Sequence, residues 1–376
     1  MIYLDYTSTT PVNDEVLQSY IQTNKNYWAN PSSLHEFGVL SDNLLNIARK
    51  QMCELIDAKE YQVIFTGCAT EANNLAIKGI CDKHKLRGKH IITTVTEHPS
   101  VYHTFELLEK AGYEVTYLKV NNQGIINLTD LQKAIRKDTI LVSMMYVNNE
   151  IGSINPIAEV GKILKQYHKI AFHVDIVQAI GKIPVKLNEM NIDMAAISAH
   201  KIYGLKGSGA LFVREGIELE PQQTGGSQEF NLRAGTVDVP SAVALAKAMR
   251  LIITNLESNY HYVKKLNHQL RSVLVKYPQI KINSPSDNVS PFIINCSLRG
   301  IKGETFVHAF EKYGIYFSTK SACSSKVMEP SRVLKAIGLD DELAINEIRI
   351  SLSHLTTQEE IKLFSKYLAQ VIKDLR

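Results

Sequence analysis

The sequence contains no run of 18 apolar residues, so no segment of it reads as a membrane span. Its five cysteines, at 53, 68, 81, 296 and 323, are odd in number, widely spaced and free of any Cys-x-x-Cys pair. That pattern excludes a disulfide framework and a cysteine zinc site, and it suits reduced thiols. Charge of one sign is also lacking. A net charge of +4 over 376 residues is too weak to argue for nucleic acid, and the mixed signs along the helical stretches read as solvated faces. There is no internal repeat and no low-complexity linker. The opening Met-Ile-Tyr-Leu-Asp-Tyr goes straight into a strand-like pattern without a basic leader, so no signal peptide is expected. At 45% hydrophobic and 21% charged, the composition is that of a globular protein. The expectation is a cytoplasmic protein without direct nucleic-acid or membrane contact, long enough for two domains.

From residue 62 the pattern alternates between apolar runs and helical stretches. The runs are 63–65, 91–95, 115–120, 140–147, 170–174, 194–197 and 210–213. Seven such runs separated mostly by helices predict an α/β fold with a mainly parallel seven-stranded sheet covered on both faces. Helical periodicity is also read at 13–24, 39–57 and, as one long bridge, 237–277. Beyond Pro278 a smaller α+β domain is expected, ending in a helix that starts at Thr357 with Glu360 completing a capping box. The predicted division is a large domain at 13–255 and a small domain formed by 1–12 with 256–376, which carries the Cys323 loop.

Ligands of open α/β sheets bind off the carboxyl ends of strands, so the residues just after each run matter most. After 194–197 come Ser198, His200 and Lys201, then three glycines at 204, 207 and 209. A lysine at the mouth of an apolar strand is partly desolvated, which makes its amine a usable nucleophile. Condensation with pyridoxal phosphate requires such an amine. The alternative is a surface lysine at a strand end. After 170–174 comes Asp175, placed to keep a pyridine nitrogen protonated; a helix-capping aspartate is the competing reading. Thr70 lies in a strand–loop–helix turn that offers backbone N–H groups to an anion. His98 follows the 91–95 run, where it could stack on a ring, transfer protons or simply cap a helix. Asn148 and Asn149 follow 140–147 and either bind a ligand or close a turn. Arg349 sits inside an apolar strand, which points to a bidentate carboxylate ligand or to an internal salt bridge. Cys323, within Ser321-Ala-Cys-Ser-Ser325, reads as a thiol on an exposed loop, whereas Cys53, Cys81 and Cys296 fall in regular elements and read as inert.

Taken together, these motifs resemble the cysteine desulfurases, the NifS/IscS-like branch of the class V aminotransferase group with fold-type I architecture. The resemblance runs from Tyr3-Leu-Asp-Tyr to Thr356-Thr-Gln-Glu-Glu, nearly the whole chain. It implies pyridoxal 5'-phosphate held covalently by Lys201, with His98 on its ring, Asp175 at the pyridine nitrogen and Gln178 at the ring hydroxyl. Thr70, Ser198 and His200 would hold the phosphate, joined by Thr236 from the second subunit of a homodimer. Asn149 and Arg349 would hold L-cysteine, and Cys323 would take its sulfur as a persulfide. The sulfur would pass to an acceptor protein, an iron–sulfur scaffold or a tRNA-thiolation enzyme. The chain departs from the family's usual pattern at Tyr6-Thr-Ser8, Leu205, Lys320 and Ser353-His354, none of them assigned to chemistry. The unbroken length around Cys323 resembles the long-loop subgroup. Rival readings are a selenocysteine lyase, another class V aminotransferase-like enzyme, or a non-catalytic scaffold of the same fold.

Overall fold

The computed structural model describes residues 1–319 and 329–375. A two-residue strand β1 (Ile2–Tyr3) leads into helices α1 (Asp14–Asn26) and α2 (Glu36–Leu55). Asn13 caps α1 by accepting from the N–H groups of Glu15 and Val16, and Asp14 and Glu15 complement the helix dipole. Strands and helices then alternate: β2 (Tyr61–Thr66), α3 (Ala69–His84), β3 (His90–Thr94), α4 (Pro99–Lys110), β4 (Glu114–Leu118), α5 (Leu128–Ala134), β5 (Thr139–Met145), α6 (Ile157–Leu164) and β6 (Ala171–Asp175). Two further strands, β7 (Met194–Ser198) and β8 (Gly209–Arg214), flank a 3-10 turn at Ala199–Lys201.

These seven strands form one sheet in the order β2-β8-β7-β6-β5-β3-β4. Only β8 runs antiparallel to its neighbours β2 and β7. The alternation along each strand explains why helices cover both faces. Phe172, Val174, Ala195 and Ile197 join one buried cluster, while Ala171, Met194 and Ala196 join the cluster on the opposite face. The apolar runs of the sequence thus reappear as strands, with ends shifted by one or two residues.

The long periodic stretch at 237–277 is two helices, not one. These are α7 (Val239–Thr254) and α8 (Leu256–Leu274), bent by 65° at Asn255. Val239 to Ile252 pack into the core of the large sheet, whereas Val263 to Leu274 pack into a second core, so one straight helix could not serve both. No single helix among the described residues is long and apolar enough to cross a membrane, and this bent pair matches a span in length and composition only.

The remainder holds β9 (Ile280–Ile282), β10 (Ile293–Leu298), α9 (Gly303–Glu311), β11 (Ile315–Tyr316), α10 (Arg332–Ala336), α11 (Asp341–Ile345), β12 (Glu347–Ser351) and α12 (Gln358–Asp374). β12, β10 and β9 form an antiparallel sheet, and β1 returns to pair in parallel with β11. Phe306, Phe310, Phe317 and Phe364 fill this second core with ring centroids 5.0–6.2 Å apart. Thr357 and Glu360 form the expected capping box on α12.

Candidate active site

A cavity lies at the carboxyl ends of β5, β6 and β7. It is lined by Thr70, His98, Asn149, Asp175, Gln178, Ser198, His200, Lys201 and Arg349, together with Thr7, Ser8, Cys68 and Ser100. Nine side chains expected to act together therefore share one space, delivered by six different strand ends and turns.

Lys201 ends the 3-10 turn after β7, and its Nζ donates to the carbonyls of Thr7 and Ser8, both at 2.6 Å. The N-terminal segment is thus a strap across the cavity. Thr10 N–H donates to the His200 carbonyl at 2.9 Å, and Thr10 Oγ1 accepts from Tyr203 N–H at 2.8 Å, which fixes that strap. The departure at Tyr6-Thr-Ser8 therefore does reach assigned residues, since Ser8 Oγ also accepts from Arg349 at 2.7 Å. What sequence reasoning missed here is carried by backbone carbonyls, which leave no signature in residue type.

Asp175 ends β6 and is only 6% exposed. One carboxylate oxygen accepts from Val177 N–H at 3.0 Å and the other from Asn73 Nδ2 at 3.0 Å. Asn73 Nδ2 also donates to Ser100 Oγ, which lies 2.8 Å from His98 Nδ1. A hydrogen-bonded chain thus joins Asp175 to His98 through two residues the sequence did not single out. Asn73 sits three residues after Thr70, hence on the same face of α3. His98 also caps α4, its Nδ1 accepting from Ser100 N–H at 3.2 Å. The ring thus caps a helix and also lines the cavity. Burial lowers its pKa, with the Asp175 charge opposing the shift.

The cavity's polar end is built around the start of α3. Its N-cap, Cys68, makes no side-chain capping bond, so the first N–H groups of the helix are free for an anion. Ser198 Oγ is buried and has no hydrogen-bond partner. His200 Nδ1 lies 3.1 Å from Thr9 Oγ1, and burial pushes its pKa down to about 4, so it offers a neutral ring. Gly209 is required here, because a Cβ would come within 2.8 Å of the Cys68 backbone carbon and 2.7 Å of the Ile197 carbonyl oxygen.

At the opposite end, Arg349 is 1% exposed within β12. One guanidinium nitrogen donates to Asn149 O at 3.0 Å; the other reaches Ser8 Oγ, Asp5 Oδ1 at 3.2 Å and Ser318 Oγ at 3.2 Å. Its Nε is buried without a partner. An internal salt bridge therefore exists, and it leaves the guanidinium Nε unsatisfied. The two asparagines separate in role. Asn148 closes the turn, accepting from Glu150 and Ile151 N–H and donating to Thr96 O, while Asn149 lines the cavity.

Thr236 does not line the cavity. Its segment is docked near the start of α3 by Arg233, whose Nε lies 2.8 Å from Glu71 Oε1. Cys323 lies outside the described residues. Cys53, Cys81 and Cys296 are buried, and burial raises all three thiol pKa values, to about 11 for Cys53 and about 12 for Cys296. Cys68 is half-buried and lines the cavity.

The family model of the class V aminotransferases matches residues 2–364. The chain belongs to that family. It is 42% identical to the cysteine desulfurase IscS of Dictyoglomus turgidum over 376 residues, covering all of this chain and 95% of that protein. Among solved structures, a NifS-like protein superposes with a TM-score of 0.93 at 35% identity, covering 100% of both chains. The structure of SspA in complex with cysteine aligns with a TM-score of 0.83 at 33% identity, covering 95% of this chain and 100% of that one. The class V chain is thus of the IscS-like cysteine desulfurase family, with the fold-type I architecture of pyridoxal-phosphate enzymes.

Pyridoxal phosphate is the cofactor of this family, and the cavity fits it. A dianionic phosphate suits the uncapped start of α3 and the unpartnered Ser198 hydroxyl. An acceptor-only carboxylate at Asp175 suits a protonated ring nitrogen, and the amine of Lys201 suits an aldehyde.

Proposed function

We propose that this chain is a cysteine desulfurase, converting L-cysteine to L-alanine and leaving the sulfur as a persulfide on Cys323. The observation that carries the proposal is the meeting of Lys201, Asp175, His98 and Arg349 in one cavity, in a chain of the desulfurase family. Pyridoxal phosphate, when bound, supplies a carbonyl and an electron-withdrawing ring beside the substrate's Cα. Thr70, Ser198, His200 and the first N–H groups of α3 would hold its phosphate, Asp175 would keep its ring nitrogen protonated, Gln178 would meet its ring hydroxyl and His98 would lie on its ring. Arg349 and Asn149 bind the substrate carboxylate, which orients the amino group toward Lys201. The Lys201 amine then holds and moves the proton at Cα. The Cys323 thiolate attacks the substrate sulfur; an S–S bond forms as the C–S bond breaks. The net exchange, cysteine plus thiol giving alanine plus persulfide, balances without an external oxidant.

The active unit is a homodimer in which Thr236 completes the partner's phosphate site. Thr236 is absent from its own cavity, and Trp28, Leu34 and Ile47 are exposed by 70%, 99% and 62% on and before α2. The large domain is 13–255, and the small one is 1–12 with 256–376. This division is supported by the break at Asn255 and by the pairing of β1 with β11. The protein acts in the cytoplasm and hands its sulfur to an iron–sulfur scaffold or a tRNA-thiolation enzyme. Incubating the pure protein with cysteine and assaying alanine and sulfide tests the reading: equimolar alanine and released sulfur support it, and no alanine refutes it.

A further inference from the structure

Lys182 is a buried lysine, 9% exposed, to which no part of the proposed reaction assigns a role. Its partner is not a carboxylate but the neutral amide oxygen Gln178 Oε1, four residues earlier on the turn after β6. A lysine this deep and without an ion pair is costly. Burial, reinforced by the positive charges of Lys201 and Arg349, pushes its pKa down to about 7. Lys182 does not line the cavity, whereas Gln178 does.

A carboxamide has an accepting end and a donating end, and its orientation is set by its neighbours. Lys182 Nζ carries N–H groups in either protonation state and donates one to the Oε1 end of Gln178. That leaves Nε2 as the end exposed to the cavity, where it donates to Thr7 O at 3.2 Å. Thr7 O is the same carbonyl that accepts from Lys201 Nζ. Lys182, Gln178, Thr7 O and Lys201 thus form one line from the core to the cavity.

We infer that Lys182 is a positioning residue for the cofactor site. By donating to Gln178 Oε1 it holds the carboxamide so that its NH2 faces the cavity as a donor to a cofactor oxygen. The inference rests on the reading of Gln178 as a cofactor ligand, and the two are tested separately. Pyridoxal phosphate is titrated into apoprotein and its apparent dissociation constant is read from visible absorbance, with Lys201 intact throughout. Gln178→Leu tests the ligand reading alone, and retention equal to the parent's would overturn that reading and the inference with it. Lys182→Met should weaken retention about tenfold, the size of one good hydrogen bond to a polarised acceptor. In the Gln178→Leu background the same change should add less than twofold, because Lys182 acts only through that amide. An unchanged constant for Lys182→Met, or an equal loss in both backgrounds, would overturn the positioning role while leaving the ligand reading intact. Gln178→Glu gives a second test that does not depend on how Lys182 variants fold. It keeps an acceptor for Lys182 but has no donor end, so retention should fall at least as far as with Gln178→Leu; parent-like retention would contradict the inference.

Discussion

The two ends of the large sheet differ in what they offer a ligand. At the amino end, a groove of about 460 Å³ is lined by His84, Arg87, Lys165, His168, Lys169 and Arg214. At the carboxyl end, the cavity is only about 170 Å³. Size and positive charge therefore favour the wrong end. The cations of the amino end stand where α3 and α6 finish, and helix C-termini attract cations. Arg214 there is fully used: its three nitrogens donate to Asp193, Asn188 and the Ile192 carbonyl, and it lies over the Tyr61 ring. The carboxyl end has the opposite character. Helices α3 and α4 begin there, Ser198 Oγ and Arg349 Nε are buried without partners, and Asp175 is held by two donors. Unfinished buried polar groups, not the larger and more basic hollow, single out the carboxyl end.

The contrast breaks most severely at Lys201. Lys201→Ala should cost roughly three orders of magnitude in alanine formation and leave the protein without its visible absorbance after gel filtration. Arg349→Ala should come next, raising KM for cysteine on the order of 100-fold, since the proposed contact with the substrate carboxylate would be lost. Arg349→Lys keeps the charge but not the fork and should recover only part of the loss. Ser198→Ala should weaken retention of pyridoxal phosphate about tenfold, read by equilibrium dialysis.

A smaller effect sharpens the comparison through stability. The Lys182 amine is released from its proton near pH 7 in the folded state but near 10.5 when unfolded. Between those values the unfolded chain binds the extra proton, so this group makes the fold more stable as pH rises. Denaturant unfolding of Lys182→Met across that window should show a flatter pH slope than the parent. Least affected should be the amino end, where Lys165→Ala combined with Lys169→Ala should change alanine formation by less than about twofold. A large loss there would contradict the assignment of that groove as dipole complement.

Much of this was legible from residues. Apolar runs separated by helical stretches pointed to the sheet, and polar residues placed just after Ile197, Val174 and Val95 pointed to Lys201, Asp175 and His98. The rest was hidden for physical reasons. Thr7 and Ser8 act mainly through carbonyls, which every residue has. Asn73 sits inside a helix with nothing local to distinguish it from a solvated amide. Lys182 reads as a turn lysine until its burial is known. The bend at Asn255 falls at the expected domain boundary, but no proline or glycine announces its angle, which is set by two cores that α7 and α8 must each reach.

The sulfur step rests on Cys323, and one measurement tests it most directly. After a single turnover with cysteine, the intact parent protein should gain the mass of one sulfur, and peptide mapping should place it on Cys323 and on none of the other four cysteines. Cys323→Ser should still bind pyridoxal phosphate and shift its absorbance on adding cysteine, because Lys201 and Arg349 are untouched, yet gain no sulfur and release almost no sulfide. If Cys323→Ser forms alanine and sulfide at the parent rate, the thiol is incidental and the chain is a pyridoxal-phosphate lyase of another kind.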